Sequence, residues 1–188
     1  MKKTPEELYK ERLKRVEDAV QLKASDRVPL LTSLSTFQHR YVGMTSEEAY
    51  FNTEKWCWAT KKTILDLKPD MYRHNITSGA ALEAVGSRQI KLPGRGVPVD
   101  HTHQFVEGEY MKAEEYDTFL DDPADYVIRT HLPRVYEALE PLKQLPPLKS
   151  FLSSITAASA LAQPEIIAAF EALFKAGREV AKTAALVR

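Results

Sequence analysis

The pattern of apolar and polar residues over the first 76 positions predicts helix, strand, loop, helix and strand, in that order. Thr4, Pro5 and Glu7 form a helix start, because Thr caps a helix, Pro suits its first turn and Glu closes a capping box. The apolar run at residues 27–31 predicts a buried strand, and residues 71–76 predict a second strand. A helix between two such strands is typical of a parallel sheet.

A polar loop at residues 32–43 and one long helix are predicted between these two strands. Thr45 and Glu48 form a second capping box at the start of the helix. The helix must end near Lys68, because Pro69 disfavours a helical conformation in the residue before it. Residues that recur at helical spacing along this segment are Ala49, Thr53, Trp56, Cys57, Thr60, Ile64 and Leu67.

The second part of the chain is predicted to be irregular at first and helical afterwards. Residues 79–108 contain several Gly and Pro interruptions and one short candidate strand at residues 89–92. Helices are predicted at residues 113–120, after Asp122-Pro123, between Pro133 and Pro141, and from Pro164 onward. The apolar face of the last helix consists of Ile166, Ile167, Phe170, Leu173, Phe174, Val180, Ala184 and Val187.

This inventory of elements predicts an α/β architecture that is incomplete. The length of 188 residues suits a single domain, residues 1–188. Two parallel strands do not make an independent sheet, and a closed (β/α)₈ barrel typically needs ~250 residues. We therefore predict a helix-rich fold with two or three parallel strands, as in an incomplete TIM-type (β/α)₈ barrel.

Composition and charge exclude several classes of function. The 26 basic and 26 acidic residues balance, which argues against a dedicated nucleic-acid binder. Cys57 is the one cysteine, so neither an internal disulfide nor a cysteine-rich zinc site is expected. The amino terminus has no apolar signal core, and no run approaches the ~20 apolar residues of a membrane-spanning helix. We therefore expect a cytoplasmic protein without a membrane partner.

Four groups of residues form an ordered pattern across the whole chain. They are residues 12–19 with 26–30 (RLKRVEDA, DRVPL), residues 104–117 (QFVEGEYMKAEEYD), residues 121–126 with 132–134 (DDPADY, LPR), and residues 164–170 with 175–177 (PEIIAAF, KAG). In their order and spacing they resemble the amino-terminal half of the uroporphyrinogen-decarboxylase-like superfamily. The resemblance implies an α/β barrel whose full length exceeds that of this chain.

Two activities are implied by this resemblance. One is decarboxylation of uroporphyrinogen in porphyrin biosynthesis, without a cofactor, and the other is zinc-dependent methyl transfer from a methylated corrinoid protein. The decarboxylases carry paired arginines after the first strand and an aspartate at the end of the second. At the matching places this sequence has one arginine, Arg40, within residues 31–40, and no acidic residue within residues 73–79. These departures favour a methyltransferase-like member.

The resemblance further implies that the zinc ligands, a His and Cys set, come from residues outside this chain. The chain by itself is then expected to hold no cofactor and to be inactive, with zinc and a corrinoid protein or a small-molecule substrate serving the full-length enzyme. A companion carboxyl-terminal chain or a second copy is the expected partner. Two alternatives stay open, namely uroporphyrinogen decarboxylase activity and a non-catalytic helical interaction protein.

Candidate substrate-binding residues follow the two predicted strands. His39 and Arg40 lie in the loop after the first strand, and His74 and Asn75 lie at the end of the second. Barrel enzymes place functional groups at the carboxyl ends of their strands, and an imidazole there can bind an anion or relay a proton near neutral pH. The alternatives are an ordinary surface loop and a hydrogen-bonded strand end. No catalytic residue is assigned.

His101 and His103 form an alternative candidate metal site. Alternate residues of an extended segment project to the same side, so two imidazoles could share one ion. The sequence offers no nearby cysteine and no obvious third ligand, which favours a pair of exposed loop residues.

Overall fold

Helices dominate the residues that this computed structural model describes, which are 3–73 and 78–186. The chain divides into two compact units, Met1–Thr77 and Ser78–Arg188. The helix-rich α/β prediction is confirmed at this level. The α-helices are α1 Pro5–Val20, α2 Phe37–Tyr41, α3 Ser46–Phe51, α4 Thr53–Leu67, α5 Gly79–Ala84, α6 Tyr116–Asp121, α7 Pro123–Tyr126, α8 Leu132–Val135, α9 Ser150–Ser153 and α10 Pro164–Leu186. The strands are β1 Leu31–Thr32, β2 Met71–Tyr72, β3 Ile90–Pro93, β4 Gly96–Val97 and β5 Gln104–Phe105.

A parallel strand pair occupies the first unit, as the order of elements predicted. Leu31 of β1 lies opposite Met71 of β2. The prediction that residues 27–31 form a buried strand is wrong, because pairing begins only at Leu31 and the Leu31 side chain is 62% exposed. Only β1 and β2 form this sheet within the described ranges, so both are edge strands. Residues 74–76 of the second predicted strand lie outside the described residues.

A network of charged side chains ties α1 to the two strands. The Arg15 side chain is only 4% exposed and donates to Asp26 Oδ1 and Oδ2, both at 2.6 Å, and to Asp70 Oδ1 at 2.5 Å. The carboxylate of Asp70 is fully buried and also accepts from Arg27 and from the backbone amide of Leu30. The network therefore holds the starts of β1 and β2 against α1.

The segment between the strands differs from the prediction in two places. The predicted loop at residues 32–43 contains α2, and the predicted long helix is divided into α3 and α4 at Asn52. Asn52 has an extended backbone, with φ −125°, and its side chain accepts from the amide of Lys55 at 2.9 Å. An Asn side chain caps a new helix well, so the chain restarts here instead of continuing.

Both predicted ends of this helical segment are confirmed. The capping box of Thr45 and Glu48 opens α3, and α4 ends at Leu67 with Lys68 in the left-handed conformation. The predicted apolar face is correct for Trp56, which is buried, and wrong for Leu67, which is 50% exposed. The buried positions of α4 are Trp56, Ala59, Thr60 and Thr63.

The second unit begins with a helix that the sequence did not predict. Ser78 caps α5 by accepting from the amide of Ala81 at 3.2 Å, although residues 79–108 were expected to be irregular. The strand predicted at residues 89–92 is confirmed as β3, which lies between β4 and β5. Ile90 of β3 pairs with Phe105 of β5 in antiparallel register.

Helical turns of several kinds follow this small sheet. Asp122 caps α7, as predicted, by accepting from the amide of Asp125 at 3.0 Å. The prediction of one short helix bounded by Pro133 and Pro141 is wrong. Pro133 lies in the first turn of α8, and Pro141 lies inside a 3₁₀ helix. A first helical turn tolerates proline, since its N–H groups have no intrahelical partner. The 3₁₀ helices are Ala113–Glu115, Glu137–Gln144 and Ile155–Ala162, and Val127–His131 is a π-helical turn.

The hydrophobic core of the second unit forms where α10 packs on the 3₁₀ helix Glu137–Gln144 and on α5. The start of α10 at Pro164 is as predicted, but its predicted apolar face is only partly buried, since Ile166 is 1% exposed and Phe174 is 61% exposed. The buried core residues are Leu139, Leu142, Leu145, Ile166 and Ala169.

No single helix in the two described ranges has both the length and the apolar character needed to cross a membrane. Two consecutive helical segments meet these criteria when they are taken together, but the chain bends by 77° between them. They are Ile155–Ala162 and Pro164–Ala185.

Candidate functional site

Polar side chains gather just after the carboxyl end of β1. Gln38 and His39 of α2 are 0% and 1% exposed, and Ser46 of α3 is 1% exposed. α2 packs against both α3 and α4, and Thr60 of α4 is also buried. We call Gln38, His39, Ser46 and Thr60 the β1 cluster. The alternative reading of an ordinary surface loop is therefore wrong for His39.

The imidazole of His39 makes one polar contact in this cluster. Its Nε2 lies 3.0 Å from Ser46 Oγ, and the tautomer decides which of the two atoms donates. Burial lowers the pKa of His39, and the positive charge of Arg40 lowers it further. The imidazole is consequently neutral at pH 7. Arg40, which is the other candidate from the sequence, is exposed in the last turn of α2.

A serine beside a neutral histidine is the arrangement that activates a nucleophile in acyl-transfer enzymes. Here the Ser46 and His39 side chains are both 1% exposed, so a substrate does not reach Ser46 Oγ in this conformation. The contact therefore joins α2 to the first turn of α3.

Gln38 is the residue of the β1 cluster that the sequence analysis missed. Its Oε1 and Nε2 atoms are buried without a hydrogen-bond partner in the part of the chain that is described, and the same holds for Thr60 Oγ1 of α4. An unpaired buried polar group costs about 1–3 kcal/mol, so such atoms normally hold water or a ligand group. A side-chain amide offers both donors and an acceptor. Only its position next to His39 could have pointed to Gln38.

His74 and Asn75, the second pair of candidates, lie outside the described residues, and their role stays a prediction. The described residue just before them, Arg73, donates its backbone amide to Thr32 O at 2.9 Å. The chain therefore leaves β2 directly beside the end of β1.

The histidines of the alternative metal site differ in their surroundings. His101 is exposed in a turn, where its amide donates to Pro98 O at 3.0 Å. His103 packs edge-on against the ring of Phe105, with 5.0 Å between ring centroids. Within residues 3–73 and 78–186, no three or more His, Cys, Asp or Glu side chains come together to hold a metal ion. The described residues therefore do not fit a complete zinc site, and the origin of the zinc ligands stays a prediction.

Cys57 is a half-buried thiol in the middle of α4. Burial raises the pKa of Cys57, which keeps the thiol protonated at neutral pH. A protonated thiol is a poor nucleophile and a poor metal ligand, so Cys57 fits a packing role.

One ion pair in the second unit joins two of the stretches that carry the family resemblance. Arg134 donates to Glu115 Oε1 at 2.5 Å and to Oε2 at 2.8 Å, and it also donates to the carbonyl of Tyr110 at 2.8 Å. Tyr126 Oη donates to Glu115 Oε2 at 2.8 Å. The Arg134 guanidinium holds the pKa of Glu115 far below its usual range. Glu115 is thus ionised and fully engaged, which suits it to holding the fold and not to proton transfer.

A scan against protein-family models finds no match for this chain, and neither the curated proteins nor the solved structures contain a match.

Proposed function

We propose that this chain is the amino-terminal part of a uroporphyrinogen-decarboxylase-like enzyme of the corrinoid methyl-transfer type, inactive alone. It would supply the first parallel strand pair of a TIM-type (β/α)₈ barrel. The observation that supports this most directly is the exposure of β1 and β2. The facing residues Leu31 and Met71 are 62% and 51% exposed, whereas parallel sheets are ordinarily covered on both faces.

Residues next to β1 extend this apolar surface. Val28 and Leu30 are 82% and 60% exposed. Meanwhile the Asp70 carboxylate keeps the starts of β1 and β2 tied to α1. A strand pair that is anchored at one end and has an unpaired edge on each strand is suited to receive further strands from a second polypeptide segment.

The carboxyl ends of β1 and β2 would then border the substrate pocket of the completed barrel. The residues that follow β1 there include one cationic side chain, Arg40, and no carboxylate among Gln38, His39 and Arg40. A tetrapyrrole with many carboxylates calls for several arginines, which favours methyl transfer over decarboxylation. Zinc and the corrinoid protein would be bound by the completing segment.

Reconstitution tests this proposal. The chain is mixed with the carboxyl-terminal half of a uroporphyrinogen-decarboxylase-like methyltransferase, supplied as a separate polypeptide with zinc. Methyl transfer from a methylated corrinoid protein to a thiol is then measured. We expect turnover from the mixture and none from the chain alone. Turnover by the chain alone would contradict the proposal.

Hydrogen exchange provides the structural control. The amide of Leu31 should exchange fast in the chain alone and become protected in the mixture, whereas the amide of Met71, which donates to Leu30 O at 3.1 Å, serves as an internal reference. Leu31→Lys should fold normally but block both protection and turnover, whereas Leu120→Lys, at a position that is 71% exposed in α6, should permit both. Strong protection of Leu31 in the isolated chain would argue for a self-sufficient interaction protein instead.

A further inference from the structure

An apolar groove of about 680 Å³ lies in the Met1–Thr77 unit, between α1 and the carboxyl end of α4. Leu8 and Leu13 of α1 line one wall, Ile64 and Leu65 of α4 line the other, and Met71 contributes from β2. The volume falls in the range of small-molecule sites, which are mostly apolar with a few polar groups. Residues of the β1 cluster do not line it.

The charged residues that line the groove are not balanced. Arg12 and Lys68 contribute two positive charges, and the charge of Lys68 also helps to lower the pKa of Asp66, which does not line the groove. The acidic lining residue, Asp70, is fully buried and already bonded to Arg15 and Arg27. Among the lining residues, the groove thus presents two cations and no carboxylate that is free to pair with them. Arg12 is half-buried, so part of this residue is removed from water.

We propose that this groove binds an anionic amphiphile, namely a small carboxylate with an aliphatic chain. The carboxylate would pair with Arg12, whose planar guanidinium matches a carboxylate in a two-pronged contact, and Lys68 would add charge. The aliphatic chain would cover Leu13 and Ile64. Met71 belongs both to this groove and to the strand pair of the proposed methyl-transfer function, but binding of a carboxylate by the chain alone does not depend on that function.

A membrane surface is a less suitable occupant. Anionic bilayers attract amphipathic helices whose polar face is rich in Lys and Arg. α1 instead carries an excess of acidic residues over its basic ones, with Glu6, Glu7, Glu11, Glu17 and Asp18 against Lys10, Arg12, Lys14 and Arg15. The positive charge is local to the groove, which favours one bound anion over an extended anionic surface.

Titration calorimetry of the full chain tests the proposal with three probes of equal chain length, all below their micellar concentrations. The probes are decanoate, decan-1-ol and decyltrimethylammonium. We expect one decanoate molecule to bind to each protein molecule. Its affinity should be at least about tenfold higher than that of the other two probes, because the charge-assisted contact is specific to the anion. Octanoate should bind more weakly than decanoate, by about fourfold for each CH₂ group removed.

Matched variants assign the site. Arg12→Gln should weaken decanoate binding about tenfold or more and leave decan-1-ol binding unchanged. Lys10→Gln, on the same helix but outside the groove, should leave both affinities unchanged. Circular dichroism confirms that each variant is folded.

Three outcomes would overturn the proposal. One is equal affinity for decanoate and decan-1-ol, and another is decanoate binding that survives Arg12→Gln. The third is that the protein fails to bind decanoate and instead binds anionic phospholipid vesicles, or forms a dimer through the groove, as sedimentation velocity would show.

Discussion

At the scale of single residues, burial decides which polar side chains keep their ordinary chemistry. The sequence places His39 in a loop after the first strand, yet this residue is almost fully enclosed and its ring contacts Ser46 Oγ. Burial penalises its charged form, and Arg40 adds repulsion, so the pKa of His39 lies below its usual value. The imidazole therefore contributes to stability in a pH-dependent way.

The sign of that dependence can be predicted. The unfolded chain has an ordinary imidazole with a pKa of about 6.5, so it takes up the proton first as pH falls. The free energy of unfolding should be highest above about pH 7 and should decrease as pH is lowered to about 5. Urea unfolding across this range measures the slope, which should be shallower in His39→Gln. An NMR titration that places the pKa of His39 above 6.5 would contradict this account.

The buried carboxylate of Asp70 supports a second prediction at this scale. Burial alone would raise the pKa of Asp70, but the amide of Leu30 and the guanidinium groups of Arg27 and Arg15 outweigh burial and lower it. Asp70→Asn keeps the side-chain volume and removes the charge that Arg15 faces. We expect the free energy of unfolding to fall by about 2–3 kcal/mol, measured by urea unfolding at pH 7.

Asp66→Asn is the matched control for this substitution. Asp66 is an exposed partner of Lys62 in the same unit, and exposed ion pairs contribute little to stability. Equal effects of Asp66→Asn and Asp70→Asn would show that the Arg15 network does not hold α1 to the strands.

At the scale of secondary-structure elements, the division between α3 and α4 is a local choice made at Asn52. The residues on both sides are compatible with one continuous helix, which is why hydrophobic periodicity predicts one. The Asn52 side chain instead accepts from the amide of Lys55 and starts a second helix. The division allows α2 to pack against both helices.

Asn52→Ala should therefore lower the free energy of unfolding by about 1 kcal/mol, because the first turn of α4 loses its cap. Asn52→Asp should retain stability, since Asp caps equally well and its charge is favourable at a helix start. Thermal and urea unfolding followed by circular dichroism provide the measurement. A gain in both helicity and stability in Asn52→Ala would mean that the cap does not determine the division.

Helix boundaries were the part of the fold that the sequence predicted best. The capping boxes of Thr4 and Thr45 and the start at Pro164 depend on contacts within one helical turn, which a short sequence window contains. α2 was missed because five residues carry no usable periodicity. α5 was missed because the nearby Gly and Pro residues suggested irregular structure.

At the scale of the whole molecule, the chain contains two units, and the larger core belongs to the second. The residues of that core all lie between Leu139 and Ala169, on the 3₁₀ helix Glu137–Gln144, at Leu145 and on α10. Its apolar contacts are thus supplied by Ser78–Arg188 itself. We infer that residues 78–188 fold without the first unit.

A fragment of residues 78–188 should unfold cooperatively in urea, and Leu139→Ala should destabilise it by about 2–5 kcal/mol. Leu139 is fully buried, so the substitution leaves a cavity in the core. Leu120→Ala, at a residue that is 71% exposed in the same unit, is the matched control and should have little effect. A fragment without a cooperative transition would show that the core needs the first unit.

The candidate site was only partly predictable from the sequence, because burial depends on contacts between helices. The position of His39 and Arg40 after β1 followed from the order of elements, but the burial of His39 and the unpaired amide of Gln38 did not. These depend on how α2 packs against α3 and α4. Side chains distant in sequence make that contact, and no local pattern encodes it.

The sequence by itself determined the helix caps, the proline breaks, the balance of charge and the parallel order of β1 and β2, because each depends on neighbouring residues or on the succession of elements. Only the tertiary structure decided that His39 is enclosed, that Leu31 is exposed and that Arg12 lines an apolar groove. Burial and electrostatic environment depend on which surfaces meet in space, and residues far apart in the chain form those surfaces.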